Sequence, residues 1–166
     1  MSDLLAGLLL IITIMLQSGV ASRITFLSGA ADLILLFIAA WGLQGQTKRI
    51  WLWTVLAGFF ASLLSAMPLY APFFGYLFIT VLSQIIKRRF WESPVLAMLI
   101  VVFLGTLVQH IIYYFVLIFT GTGIDWQESL NMVTLPSLLI NLVLAFPVYI
   151  VIREIALIIK PESALR

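Results

Sequence analysis

The feature that most constrains the fold of this chain is a series of long apolar runs separated by short polar stretches. The chain has 166 residues, of which 63% are hydrophobic and only 10% are charged. A soluble domain of this size carries about 25% charged residues, so this chain lacks the side chains that a water-exposed surface requires. The sequence therefore predicts an integral membrane protein that forms a single domain over residues 1–166.

Six of these runs are candidates for helices that cross a bilayer. About 20 apolar residues span the hydrocarbon core, and by that measure the runs are Leu4–Ala21, Ile24–Leu43, Trp51–Leu69, Phe73–Ile86, Val95–Phe119 and Leu135–Ile159. They are continuously apolar rather than alternating, which favours helices. We predict an all-α bundle of six transmembrane helices. Full spanning by the short fourth run stays open, and the regular part of the second is expected to begin near Asp32.

Positive charges orient the predicted bundle. They lie between the second and third runs, between the fourth and fifth, and at the end of the sixth, as Lys48, Arg49, Lys87, Arg88, Arg89, Arg153, Lys160 and Arg166. Only Arg23 falls on the other side of a six-span layout. Basic loops face the cytoplasm, so both termini are expected there. The two basic loops either only set this topology or also contact anionic membrane lipids and cytoplasmic partners.

Polar side chains inside the apolar runs are the candidates for a functional site. They are Gln17, Asp32, the Gln109–His110 pair and Asn141. Lipid offers no hydrogen-bond partner, so such groups face protein or a water-filled space. On the predicted topology they converge on one outward-facing depression. The alternative is that Gln17 and Asp32 lie at the outer interface, His110 is a packing residue and Asn141 ties two helices together.

Small residues recur at intervals of four in two runs. The third run carries Gly58, Ser62 and Ala66, and the sixth carries Ser137, Asn141 and Ala145. Such stripes let helix backbones approach closely, so each is expected to be a packing seam or a partner interface. Pro136 fits the first turn of its helix without losing a hydrogen bond. Pro147 lies inside the same helix and is expected to bend it.

Catalytic chemistry has little support in the sequence. The chain has no cysteine, which excludes disulfides and thiolate sites, and it has one histidine. No hydrolase, metalloprotease or phosphate-loop motif occurs. An intramembrane hydrolase that uses His110 is the least favoured class, because no acid or second ligand shares its helix face. We predict no enzymatic activity, no cofactor, no metal site and no nucleic-acid partner.

Three stretches resemble the rod shape-determining protein MreD family. GFFASLLSAMPLY, at residues 58–70, resembles the signature of its third helix, and ADLILLFIAAWGL resembles its second helix. LPSLLINLVLAFPVYIVIRE is similar to its last helix, with Pro136, Asn141, Pro147 and Arg153 in the expected order. The length, the six-span layout and the basic second cytoplasmic loop fit the family along the whole chain.

The resemblance has departures. Ser62 stands where the family often has Asp, so a role for a charged group at that position does not transfer to this chain. Ala66 and Tyr70 replace glycines, and Ala31 replaces the proline that often precedes Asp32.

The resemblance implies a bacterial inner-membrane component of the elongation machinery. Members of that family bind the single-span protein MreC and link MreB filaments to peptidoglycan synthases. They share the fold of the substrate-binding subunits of energy-coupling-factor transporters. The expected function is therefore a non-enzymatic scaffold that regulates rod cell shape and peptidoglycan synthesis. The alternative is a vitamin-transporter subunit of that kind, with a ligand in the outer pocket.

Overall fold

The computed structural model describes residues 2–19, 21–23, 25–44, 49–65, 67–90, 92–123 and 125–159. Four positions named above, Lys48, Ala66, Lys160 and Arg166, lie outside the described residues. The described part of the chain is almost entirely helical, which confirms the all-α class. Its helices are α1 (Ser2–Gly19), α2 (Leu33–Leu43), α3 (Ile50–Leu64), α4 (Tyr70–Arg89), α5 (Pro94–Phe119), the short α6 (Trp126–Glu128) and α7 (Leu135–Ile159).

Short irregular elements connect these helices at two places. A 3₁₀ turn at Ala21–Arg23 and an antiparallel hairpin, β1 (Thr25–Phe26) and β2 (Gly29–Ala30), lie between α1 and α2. A π-helical segment, Ser129–Thr134, joins α6 to α7, so that one helical stretch runs from Trp126 onward.

Three helical stretches are long and apolar enough to cross a membrane: Tyr70–Arg89, Pro94–Phe119 and Trp126–Ile158. The other three apolar helices, α1, α2 and α3, are shorter. Large hydrophobic side chains are exposed on the outside of the bundle, for example Leu4, Met15 and Val143. These features are consistent with a membrane protein.

Three predicted segments have different bounds in the structure. The prediction of a second helix over 24–43 is wrong before Asp32, because a hairpin occupies Thr25–Ala30, whereas the expected start near Asp32 is confirmed. The predicted third helix, 51–69, is too long, because α3 ends at Leu64. The fourth helix is longer than the predicted 73–86. It covers 20 residues because it begins three residues earlier, at Tyr70, and continues through the basic residues to Arg89, so it is long enough to span.

Helix α2 forms the centre of the bundle. Its residues 34–42 are all buried, and it packs against α1, α3, α4, α5 and α7. Eleven helical residues extend only about 16 Å, which is about half of the hydrocarbon core. The rest of this segment is the hairpin, which lies against the start of α7. Helix α2 is therefore a core helix that the surrounding helices shield from lipid.

Close helix contacts depend on glycines more than on the predicted stripe of α3. Gly58 is buried, and a Cβ placed there would lie 3.2 Å from the Cα of Phe73 on α4. The hydroxyl of Ser62 donates instead to its own helix, at the carbonyl of Phe59. Between α4 and α5, a Cβ on Gly105 would lie 2.9 Å from Ile79. Gly58 therefore lies at a close contact between α3 and α4, a role for Ser62 in the seam stays a prediction, and the α4–α5 contact was not anticipated.

Polar contacts gather the basic positions at one end of the bundle, called here the basic end. The guanidinium of Arg49 lies 3.5 Å from the carboxylate of Asp3, which puts the start of α1 beside the start of α3. At the end of α4, Lys87 donates to the carbonyl of Gln44, just after α2. Arg88 and Arg89 occupy the same last turn of α4. The start of α1, the start of α3 and the end of α4 thus share one end.

Candidate functional site: a polar cavity around Asp32

A cavity of about 470 Å³ lies at the end of the bundle opposite to the basic end. It forms where α1 and α3 end and where α2, α4 and α7 begin. Its polar lining includes Gln17, Ser28, Asp32, Tyr76, Gln109, His110, Tyr113 and Ser137. This volume lies within the range of about 300–1,000 Å³ that is typical of small-molecule sites.

The carboxylate of Asp32 is the centre of the polar network. It caps α2 by accepting a hydrogen bond from the backbone N–H of Leu35 at 2.8 Å. The hydroxyl of Tyr76, on α4, donates to both carboxylate oxygens at 3.1 and 3.0 Å. The amide nitrogen Nε2 of Gln109, on α5, donates to Oδ2 at 2.7 Å. One partly buried acidic side chain therefore joins three helices.

Gln109 carries an acceptor that no described residue satisfies. The side chain is 2% exposed, and Nε2 also donates to the hydroxyl of Tyr113 at 2.8 Å. A carboxylate accepts only, so the nitrogen of the amide must face Asp32 and the oxygen must point elsewhere. That oxygen, Oε1, is buried without a hydrogen-bond partner among the described residues. A buried acceptor left in this state costs about 1–3 kcal/mol.

Gln17 serves the non-helical backbone between the hairpin and α2. Its Nε2 donates to the carbonyl of Ala31 at 2.9 Å, and its Oε1 accepts from the N–H of Leu33 at 2.7 Å. Non-helical backbone at membrane depth is tolerated only where its polar groups have partners inside the protein. Gln17 on α1 provides two of these partners while it also lines the cavity.

The small-residue stripe predicted on α7 also forms hydrogen bonds to the backbone between the hairpin and α2. Ser137 Oγ accepts from the N–H of Ala30 at 3.1 Å, and Asn141 Oδ1 accepts from the N–H of Asp32 at 2.8 Å. Asn141 Nδ2 donates to the hydroxyl of Thr106 on α5 at 3.1 Å. Ser137, Asn141 and Ala145 are all buried. Asn141 is therefore a tie between three segments, and it does not line the cavity.

Pro136 and Pro147 have different environments. Pro136 is buried, and its Cβ lies 2.7 Å from the position that a Cβ on Gly29 would take, so only glycine fits at the hairpin. Pro147 is exposed inside α7, which runs through it without a break in its helical assignment. The bend expected at Pro147 stays a prediction.

His110 forms part of the cavity wall. Its Nδ1 lies 3.2 Å from the hydroxyl of Thr134, and its ring stacks on Tyr113 with the centroids 6.2 Å apart. In the described part of the chain, no group of three His, Cys, Asp or Glu side chains is placed to hold a metal ion. His110 is therefore a residue of the cavity wall that is held by a hydrogen bond and by ring stacking.

The structure thus brings Gln17, Asp32, Gln109 and His110 to one cavity. The sequence reasoning missed Tyr76 and Tyr113, whose hydroxyls complete the network. A tyrosine within an apolar run is a signal in itself, because a buried phenol usually has a hydrogen-bond partner. The i, i+4 spacing of Gln109 and Tyr113 on one helix was also readable.

A second feature, called here the α1–α7 groove, is almost wholly apolar. It consists of two adjoining hollows of about 500 and 310 Å³ that share Leu16, Leu33 and Leu144. Leu33 and Phe37 of α2 form its floor. On α7 it extends from Leu139 to Ile152, which corresponds to about 20 Å of helix.

No protein-family model, no curated protein and no solved structure matches this chain. The resemblance to MreD therefore depends on the three quoted stretches alone.

Proposed function

We propose that this chain is a non-enzymatic scaffold of the MreD type, which binds a single-span MreC-like protein in a bacterial inner membrane. The observation that carries the proposal is the α1–α7 groove. In the bilayer, helices associate through packing and interhelical hydrogen bonds, because lipid tails are as apolar as leucine. A long concave apolar surface supplies the packing that a partner helix needs.

Helix α2 forms the floor of the groove. Both α1 and α7 pack against α2, and their side chains line the two hollows as walls. The exposed side chains of these walls include Leu139 and Val143 on α7 and Leu16 on α1. A transmembrane helix laid between the walls would contact both of them along about four turns.

The polar contacts at the basic end support a topology with both termini in the cytoplasm. The Asp3–Arg49 contact and the Lys87 contact to Gln44 bring the start of α1 to the same end as Arg49 and the basic last turn of α4. Basic loops of membrane proteins remain on the cytoplasmic side. In this proposal the chain crosses the membrane six times, with the hairpin and α2 together forming one crossing. The cavity then faces outward.

Affinity purification of variants from native membranes tests the proposal. Val143→Trp fills the groove, whereas Ile85→Trp adds the same bulk to an exposed position of α4 outside it. We expect the wild type and Ile85→Trp to retain a single-span protein with a large outer domain and to maintain rod cell shape. Val143→Trp should lose both. Retention of that protein by Val143→Trp would contradict the proposal.

The polar cavity favours a second candidate, the substrate-binding subunit of an energy-coupling-factor vitamin transporter. Such a subunit holds a small molecule in an enclosed polar site. Mass spectrometry of the same purified sample separates the candidates, because a transporter subunit brings ATPases and a retained vitamin. A sample with neither of these, and with a single-span protein, eliminates the second candidate.

A further inference from the structure

We infer that the cavity around Asp32 is a binding site for a small organic cation that carries N–H donors. This inference concerns the cavity alone, so it does not depend on whether a partner helix occupies the α1–α7 groove. Its basis is the combination of an uncompensated, partly exposed carboxylate and aromatic walls in one space of sufficient size.

The first observation is the charge of the cavity. Asp32 accepts hydrogen bonds from Leu35, Tyr76 and Gln109, and such donors stabilise a carboxylate in its ionised form. None of the residues that line the cavity is Lys or Arg. Within the described residues the ion pair found joins Asp3 to Arg49, at the other end of the bundle. A buried anion without a counter-charge is unfavourable, so a bound cation would stabilise the site.

The second observation is that the side chain of Asp32 is not fully enclosed. Asp32 is only partly buried, and it lines the cavity. An N–H group of a ligand would donate to this carboxylate while the positive charge of the same ligand compensates it. A cation without N–H donors would supply the charge but no hydrogen bond.

The third observation is the aromatic character of the walls. Tyr76, Tyr113 and His110 all line the cavity, and the His110 and Tyr113 rings are stacked. Aromatic faces attract cations, and the effect is larger in a desolvated site than on a surface. A hard metal ion is a poorer match, because it needs several oxygen ligands close together. The lining contains one carboxylate in a volume far larger than an ion.

Binding of a matched pair of probes to the purified full-length chain in nanodiscs tests the inference. Phenethylammonium and 2-phenylethanol have nearly the same shape, but only the first carries a charge and several N–H donors. We expect phenethylammonium to bind at least about tenfold more tightly, as measured by calorimetry, because hydrogen bonds to charged groups are the stronger ones. Equal binding of the two probes, or no binding of the cation at millimolar concentration, would overturn the inference.

Three variants assign the binding to this cavity. Asp32→Asn removes the charge at constant size and should abolish the preference for the cation. Ser28→Trp adds bulk at an exposed lining position without altering the carboxylate, so it tests the site even if Asp32→Asn fails to fold. Asp125→Asn removes an exposed carboxylate outside the cavity and should bind as the wild type does. Unchanged cation binding by folded Asp32→Asn or by Ser28→Trp would contradict the assignment.

Because these measurements use the isolated chain, their failure says nothing about the groove. Loss of the partner from Val143→Trp with no binding of phenethylammonium would support the scaffold and reject the cation site. The reverse pattern would support the cation site and reject the scaffold.

Discussion

The polar cavity and the α1–α7 groove are both built around α2, but they are opposite in chemistry. The cavity lies at the N-terminus of α2, where Asp32 forms hydrogen bonds to polar groups of α4, α5 and α7, and Gln17 binds the adjoining backbone. The groove lies along the side of the same helix, where Leu33 and Phe37 are covered by nothing but apolar walls. The difference shows how one short buried helix creates two sites. Its end exposes backbone that requires polar partners, and its side forms the floor of an apolar groove between α1 and α7.

The largest loss of stability is expected for a substitution of Asn141, which forms hydrogen bonds in the polar region but does not line the cavity. Asn141→Leu leaves the N–H of Asp32 and the hydroxyl of Thr106 without their partner. We expect the free energy of unfolding in detergent to fall by about 2 kcal/mol. Val143→Leu, half a turn away on the groove side of α7, is the matched control. Equal stability of Asn141→Leu and the control would show that the polar tie is dispensable.

A smaller loss of stability is expected when one hydrogen-bond donor to Asp32 is removed. Tyr76→Phe keeps the ring but deletes the hydroxyl that donates to both oxygens of Asp32. The two remaining donors still hold the carboxylate, so unfolding should become easier by about 1 kcal/mol. Tyr70→Phe is the control, because Tyr70 is an exposed tyrosine of the same helix. A loss above that of Asn141→Leu would make Tyr76, and not Asn141, the main support of this region.

The smallest effect on stability is expected in the groove. Val143→Ala shortens a side chain that is 73% exposed, so the free energy of unfolding should change by less than about 0.5 kcal/mol. The same substitution removes packing surface for a partner helix and should weaken co-purification of the single-span protein. A large loss of stability in the purified chain would instead show that the groove wall supports the fold itself.

Much of the helical layout could be predicted from the sequence, because long apolar runs determine it. The start of α2 near Asp32 was also predictable, since an acidic residue before an apolar run is a typical helix cap. The hairpin was not. Its residues Phe26 and Leu27 continue an apolar run, and Leu27 adopts a left-handed φ of 55° that its side chain does not favour. Tertiary contacts decide this segment, for example the hydrogen bond from Ser28 to the carbonyl of Met132.

Four residues of the candidate site could be predicted from the sequence, but their hydrogen bonds could not. The positions of Gln17, Asp32, Gln109 and His110 within their runs indicated a common depth. Their hydrogen-bond partners could not be predicted. Gln17 and Asn141 bind backbone groups of Ala31 and Asp32, next to the hairpin, and the sequence did not predict the hairpin. The groove was also missed, since it depends on how α1, α2 and α7 pack rather than on any motif.

Site-specific photo-crosslinking in native membranes tests the central claim most directly. A photo-reactive amino acid would replace Val143 in the groove or Ile85 on the exposed face of α4. The scaffold account predicts a covalent adduct with the transmembrane segment of one single-span protein from position 143 and none from position 85. Adducts with lipid alone from position 143, or the same protein adduct from both positions, would contradict it.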